Sequence, residues 1–265
     1  MDPRPLFHAV NLTDGLLVAG ACAHWLPASA CLGALALTQG ALAAACLCPR
    51  CALVGPTLTR VATDQRHVAL TFDDGPDPML TPWVLQTLAR FDARASFFCV
   101  GARARACADT VRETAAAGHS IENHSDRHNG RFALLSTREI AREVDTAQET
   151  LTHLAGRAPR FFRAPMGFRN PWLAPVLAER GLTHCAWSRR GFDTRATQPD
   201  AVCARLTRGV RPGAILLLHD GHNARDAAGR PLMHTVLPAL LATLKHQGLQ
   251  AVDLPTLLAH ARGTP

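Results

Sequence analysis

Seven short apolar runs alternate with helix-forming segments from residue 66 onward, and this alternation constrains the fold more than any other feature of the sequence. Most of the runs lack the apolar–polar alternation of a strand with one face in water, so they are typical of strands buried on both faces. Buried strands that alternate with helices predict a parallel sheet, either open or closed into a barrel. The seven runs are HVALTFD, ASFFCV, HSIEN, RFFRA, THCAWS, AILLLH and LQAVDL.

The segments between these runs carry start and stop signals of helices. Thr81 and Pro82 predict an N-cap and a first turn ahead of WVLQTLARF. The sequence STRE at 136–139 is a capping box, and Gly156 lies about five turns later, where a C-cap is expected.

The N-terminal segment differs in kind, because no charged residue occurs between Asp14 and Arg50. A helix needs about 20 mostly apolar residues to cross a membrane. The interval therefore holds either one span at about residues 30–48 or two shorter spans hinged near Pro27, and a buried hairpin of a soluble protein is the alternative. We predict a membrane-anchor segment and linker over residues 1–60 and a second domain over residues 61–265.

The formal net charge of +7 does not indicate a nucleic-acid-binding protein. Lys245 is the only lysine, and the arginines are scattered among acidic residues without a dense basic run or a zinc-finger spacing. The CxxC at Cys48–Cys51 lacks the second pair that a structural zinc site needs. We predict no nucleic-acid partner.

Chemically reactive side chains directly follow four of the predicted strands, and catalytic groups collect at the carboxyl ends of parallel strands. The spacing of four between His124 and His128 puts both imidazoles on one face if the segment is a helical turn. Two histidines and one carboxylate make a three-ligand metal set that leaves room for water and substrate. The four places are Asp73-Asp74, His124 with His128, Arg163, and His219.

These motifs, in this order and spacing, resemble the polysaccharide deacetylases of carbohydrate esterase family 4, which share the NodB-homology domain. The resemblance covers about residues 66–255 and rests on TFDDGPDP, GHSIENHSDRH, RAPMG and LLLH. It implies an α/β fold, a distorted (β/α)7 barrel, here preceded by the apolar helical segment. Residues 61–265 are then the catalytic domain.

The resemblance also implies a role for each of the reactive residues. Asp73 is the expected general base, and Arg163 is expected to keep it ionised and oriented. His219 is the expected general acid. A divalent metal, Zn²⁺ first and Co²⁺ or Ni²⁺ as alternatives, is expected on Asp74, His124 and His128.

A second group of residues is expected to contact the substrate or the oxyanion: Pro165, Met166 and Gly167 of the RAPMG loop, with Trp187 and Arg190. A backbone N–H near Met166 is the expected donor to the oxyanion. The family's fourth motif carries two acids after a tryptophan. Here Asp193 matches the second acid and is assigned to the catalytic group, whereas Arg190 stands where the first is expected, which leaves the pKa of His219 open. Arg190 suggests an acidic group on the substrate, such as a lactyl carboxylate or a phosphate.

The resulting prediction is a metal-dependent hydrolase that removes N-acetyl groups from amino sugars of a cell-envelope polysaccharide or a lipid-linked sugar. The alternatives are an O-acetyl esterase or deformylase with the same machinery, and a carbohydrate-binding barrel without activity. Because such glycans lie mainly outside the cell, we expect a bacterial inner-membrane protein with a periplasmic or extracytoplasmic catalytic domain. The arginines that follow the apolar segment favour the opposite orientation.

Overall fold

The computed structural model describes residues 5–226 and 228–262, and one parallel sheet lies at its centre. Residues 1–4 of the predicted anchor, and residues 227 and 263–265 of the predicted catalytic domain, lie outside the described residues. Each of the seven predicted runs contains a strand. An eighth, β6, was not predicted, because two arginines show no apolar pattern. The strands are β1 (His67–Asp73), β2 (Ser96–Cys99), β3 (Ser120–Asn123), β4 (Phe161–Phe162), β5 (Thr183–His184), β6 (Arg189–Arg190), β7 (Ile215–His219) and β8 (Gln250–Val252).

The strand order is β5-β4-β3-β2-β1-β7-β6, with β8 paired to the first half of β1. Every strand pair is parallel. The sheet is curled, but its two end strands, β5 and β6, form no pair with each other within the described residues. The sheet is therefore an open half-barrel and not a closed barrel. The predicted α/β fold with a distorted barrel of parallel strands is confirmed in this form.

Helices follow most of the strands and cover the sheet. They are α3 (Leu80–Arg90), α4 (Gly101–Ala106), α5 (Ala108–Ala116), α6 (Thr137–Ala155), α7 (Leu173–Glu179), α8 (Pro199–Thr207), α9 (Met233–His246) and α10 (Leu254–Ala259). The capping box of α6 is confirmed, since Ser136 and Glu139 bond each other's backbone N–H groups, and Gly156 ends the helix in the left-handed conformation.

Helix α3 begins at Leu80, two residues before the predicted first turn at Pro82, so the predicted N-cap at Thr81 is wrong. Oδ1 of Asp77 accepts hydrogen bonds from the backbone N–H groups of Leu80 and Met79, at 2.7 and 2.9 Å, and so takes the capping role. The Thr81 hydroxyl instead donates to the buried Asp220 carboxylate at 2.6 Å.

The core lies between the central strands and the helices. The rings of Phe72 and Phe97 stack at 5.1 Å, and Leu216 is fully buried beside them. Burial of a side chain of this size contributes roughly 1.5–3 kcal/mol. Because the strands are parallel, their carboxyl ends meet at one edge of the sheet, where Asp73 of β1 lies opposite His219 of β7.

The apolar N-terminal segment forms two helices, α1 (Pro5–Cys22) and α2 (Ala28–Leu47), with the turn at Pro27 that the sequence suggested. The helices pack on each other, and Asp14 of α1 accepts hydrogen bonds from Thr38 and Gln39 of α2 at 2.5 and 2.6 Å. By length and composition, α2 is the one helix among the described residues that meets the requirements of a membrane span. Few of its side chains are buried in the protein, which argues against the hairpin of a soluble core.

Candidate active site

A carboxylate and two imidazoles meet at the carboxyl ends of β1 and β3. Oδ1 of Asp74 lies 3.3 Å from Nε2 of His124 and 3.1 Å from Nε2 of His128. Asp74 has a left-handed backbone, with φ of 70°, so the chain turns sharply just past the end of β1. The structure therefore brings together the three predicted metal ligands, which form a group of the size that holds one metal ion.

The two histidines meet by a route that differs from the predicted helical turn. Residues 124–128 form an irregular loop, in which Ser125 and His128 both have positive φ. The loop is fixed by hydrogen bonds from Ser125 N–H to the Asn123 side chain at 2.9 Å and from His128 N–H to the Ser125 hydroxyl at 3.0 Å. The spacing of four is thus a property of this loop and not of a helix.

The protonation of His124 fits a metal ligand. Its Nδ1 lies 2.8 Å from the backbone carbonyl of Arg163, and a carbonyl only accepts, so Nδ1 carries the proton. Nε2 faces Asp74 at 3.3 Å: it donates to this carboxylate while it carries a proton, and it would offer its lone pair to a metal ion after losing that proton. A backbone carbonyl behind a ligating imidazole is the usual arrangement in metal sites.

Burial opposes the charge of Asp74, but hydrogen bonds from His124 and His128 outweigh it and hold the pKa of this carboxyl well below its usual range. Asp74 is therefore an anion at neutral pH. An anionic oxygen and two imidazole nitrogens are donors that suit zinc and neighbouring transition metals.

Asp73 is held by a second set of contacts. Its Oδ1 accepts a 2.6 Å hydrogen bond from Nη1 of Arg163, and both side chains are buried. Nη1 also donates to the Thr71 hydroxyl at 2.9 Å, and other guanidinium nitrogens donate to the carbonyls of Cys185 and Ala186 at 3.1 and 2.9 Å. Arg163 is thus fully engaged, and the remaining oxygen of Asp73 lies 4.0 Å from Nε2 of His124.

His219 lies across the pocket and is paired with Asp193. Nδ1 of His219 is 3.0 Å from Oδ1 of Asp193, and the His219 backbone N–H donates to Oδ2 at 2.8 Å. Burial disfavours the imidazolium, but the Asp193 carboxylate outweighs it, and the pKa of His219 is raised above its ordinary value. Asp193 thus supplies the pairing that the sequence left open at the position of Arg190.

One pocket of about 160 Å³ connects these groups. Of the residues expected to contact substrate or oxyanion, Met166, Gly167, Trp187 and Arg190 line it, whereas Pro165 is buried and does not line it. Thr194, Arg195 and Leu217 also line it, and no local pattern marked them in the sequence. His222 lines it as well, and its place three residues after His219 was the signal for it. Thr71, the second partner of Arg163, was missed because it lies 92 positions before Arg163 in the chain, and only the folded sheet brings the two together.

Comparison with known proteins adds an independent finding. The sequence model of the family described as polysaccharide deacetylase matches residues 60–185. A chitooligosaccharide deacetylase of Bradyrhizobium sp. is 33% identical over 199 residues, which are 72% of this chain and 90% of the relative. The chain belongs to the polysaccharide deacetylase family.

Two further relatives of this polysaccharide deacetylase carry different substrates in their names. A peptidoglycan-N-acetylglucosamine deacetylase of Bacillus cereus is 29% identical over 194 residues, which are 73% of this chain and 69% of the relative. A family 4 acetyl xylan esterase from Clostridium thermocellum, solved with a cobalt ion, is 32% identical and superposes with a TM-score of 0.64 over 72% of this chain and 90% of its own.

Proposed function

We propose that this protein hydrolyses the N-acetyl group of amino sugars in a cell-envelope glycan, with a divalent metal as cofactor. The observation that carries the proposal is the convergence on one pocket of the Asp74–His124–His128 group, the Asp73–Arg163 pair and the His219–Asp193 pair. The polysaccharide deacetylase relatives support the same reaction.

Asp74, His124 and His128 are the proposed metal ligands, and Zn²⁺ is the proposed ion, with Co²⁺ or Ni²⁺ as alternatives. The donor set fits any of these ions, and the cobalt in the Clostridium thermocellum relative supports such a site. When bound, the ion would polarise the amide carbonyl and lower the pKa of a water molecule beside it.

The remaining residues handle protons and charge. Asp73 is the proposed general base, because Arg163 holds one of its oxygens while the other faces the metal group. His219, kept protonated by Asp193, is the proposed donor of a proton to the departing amine nitrogen. The backbone N–H of Met166, in the loop that lines the pocket, is the proposed hydrogen-bond donor to the oxyanion.

An O-acetyl esterase is the second candidate, because the esterase relative shares 32% of its residues with this chain. An amide nitrogen has to gain a proton before it can leave, whereas the alkoxide of an ester can leave with less help from an acid. The raised pKa of His219 favours its protonated, proton-donating form and therefore favours the amide.

We also propose that residues 1–60 are a membrane anchor and residues 61–265 the catalytic domain. A helix of 20 residues such as α2 spans about 30 Å, the thickness of the hydrocarbon core. Trp25, in the turn that precedes α2, is 84% exposed, and tryptophan is typical of the membrane interface. The C-terminal end of α2 docks on the catalytic domain, where the Arg169 backbone N–H donates to the Cys46 carbonyl, and we place this side outside the inner membrane.

The test uses the full-length protein in detergent, loaded with zinc or stripped by a chelator. Acetate release is measured from N-acetylglucosamine oligomers and from acetylated xylan. We expect zinc-dependent release from the oligomers at a higher rate. Faster release from xylan would favour the esterase, and retained metal with no acetate from any glycan would contradict both enzymatic functions.

A further inference from the structure

The end of the N-terminal hairpin docks on the loop that forms one wall of the active-site pocket. The backbone N–H of Arg169 donates to the carbonyl of Cys46, in the last turn of α2, at 3.0 Å. The buried Arg169 guanidinium also donates to the Cys51 carbonyl just beyond α2. The start of α1 is held by the same loop, since the ring of Phe7 packs edge-on against Trp172 at 5.6 Å.

Only one residue separates this docking point from the pocket. A Cβ at Gly167 would lie 2.7 Å from a ring carbon of Pro49, just after α2, and 2.7 Å from the Trp187 ring. Gly167 also has a φ of 78°, so glycine is required there for two reasons. Gly167 and Trp187 both line the pocket, so the wall of the pocket continues directly into the end of the apolar hairpin.

The same wall carries an arginine that packs against two aromatic rings and has no carboxylate partner among the described residues. The Arg190 guanidinium lies 5.4 Å from the centre of the Trp187 ring and 5.0 Å from that of Phe192, and it lines the pocket. Its Nε is buried without a hydrogen-bond partner, and no carboxylate pairs with Arg190 within residues 5–226 and 228–262. A second, exposed arginine, Arg195, lies at the rim.

The carboxylates of the pocket cannot neutralise this wall. Asp73 is bound by Arg163, and Asp74 lies between the two histidines. A buried donor without a partner costs free energy, so Arg190 is set up for a group that arrives with the substrate. Guanidinium groups bind phosphate in a two-pronged arrangement, and the flanking rings hold the group flat.

We propose that the substrate is an amino sugar joined through a phosphate group to a membrane lipid, with the phosphate on Arg190 and the N-acyl group at the metal ligands. The proposal rests on the proposed deacetylase function and narrows its substrate class. A sugar on such a lipid carries its phosphate between the ring and the hydrocarbon chain. Arg190 lines the same pocket as the catalytic groups, and the Trp187 ring that it contacts also lies against Gly167, where the loop meets the hairpin.

The experiment measures kcat/KM for acetate release by the full-length protein in lipid nanodiscs. The three substrates are N-acetylglucosamine linked by diphosphate to a polyprenol, soluble N-acetylglucosamine 1-phosphate, and neutral chitotetraose. The variants are Arg190→Gln, Arg190→Lys and the control Arg189→Gln. Arg189 is the adjacent arginine, which bonds the Gly209 carbonyl at 3.1 Å and does not line the pocket.

For the wild type we expect the highest kcat/KM with the lipid-linked sugar, a lower value with the sugar phosphate and the lowest with the neutral oligomer. In Arg190→Gln, the ratio of kcat/KM for either phosphate-bearing substrate to kcat/KM for chitotetraose falls by about 10- to 100-fold. This is the factor expected from the loss of one charge-assisted hydrogen bond. Arg190→Lys keeps part of the preference, and Arg189→Gln keeps all of it.

An unchanged preference in Arg190→Gln, with acetate still released, would overturn the role of the phosphate. Equal kcat/KM for the lipid-linked sugar and the soluble sugar phosphate would overturn the proposal that the phosphate is joined to a membrane lipid. Both results leave the deacetylase function standing, whereas no acetate from any of the three substrates with metal bound would contradict that function itself.

Discussion

The two halves of the pocket differ in how completely their charged groups are paired. In the half that holds the proposed metal ligands, here called the metal half, Asp73 is fixed by Arg163, and Asp74 is fixed by His124 and His128. In the acid half, His219 is fixed by Asp193, but Arg190 beside it has no polar partner among the described residues. Groups proposed for the chemistry are thus held in place before substrate binds, and the group proposed for recognition is left open to it.

The largest effect is expected in the metal half. Asp74→Ala removes the anionic member of the proposed metal ligands, and acetate release should fall by about 10³-fold, because a catalytic metal supplies several kcal/mol of transition-state stabilisation. Asp77→Ala is the matched control, since this acid lies three residues away, caps α3 and does not line the pocket. A similar loss in both variants would mean that the loop as a whole, and not the ligand, was damaged.

In the acid half, Asp193→Asn should reduce kcat by about 10²-fold, within the range of general acid catalysis. The carboxylate raises the pKa of His219, so its loss lowers that pKa, and the basic limb of the pH profile moves to lower pH. Rates measured from pH 5 to 9 check this shift. A reduced rate with an unmoved basic limb would exclude His219 as the acid whose pKa Asp193 sets.

The same pair makes stability depend on pH. The folded protein holds the His219 proton more tightly than the unfolded chain does, so the pair stabilises the fold at pH values below the unfolded pKa of about 6.5. This contribution is lost as the pH rises through the folded pKa. The free energy of unfolding should therefore differ most between wild type and Asp193→Asn near pH 5 and least near pH 9. Denaturant titrations at both values measure it, and a larger difference at pH 9 would reverse the assigned sign.

The smallest effect is expected far from both halves. Ser136→Ala removes the capping box of α6 and should lower the free energy of unfolding by about 1 kcal/mol. Ser136 does not line the pocket, so kcat/KM should stay at the wild-type value. A matching fall in activity would show that the pocket depends on the stability of the whole domain and not on its own pairs.

Local patterns in the sequence predicted what depends on neighbouring residues. Continuous apolar runs marked β1 and β7, and the capping box marked α6. What depends on distant residues was not predictable. β6 consists of two arginines that form a strand because they pair with β7. Asp193 was assigned to the catalytic group by its motif, but its pairing with His219, 26 positions away, was not predicted.

The same distinction holds in the site. The three proposed metal ligands were identified through family motifs, yet the loop that joins His124 to His128 is not the expected helical turn. The docking of the hairpin on the Gly167 loop has no signature in either segment, because it depends on the shape of both.

The central claim is that adjacent carboxylates have different tasks, and metal binding by two matched variants tests it most directly. Asp73→Asn and Asp74→Asn make the same chemical change one position apart. Zinc affinity, measured by competition with a chromophoric chelator, should stay near the wild-type value in Asp73→Asn, while acetate release is lost. In Asp74→Asn the affinity should fall by about 10²-fold or more. Equal losses of zinc in both variants would contradict the division between base and ligand.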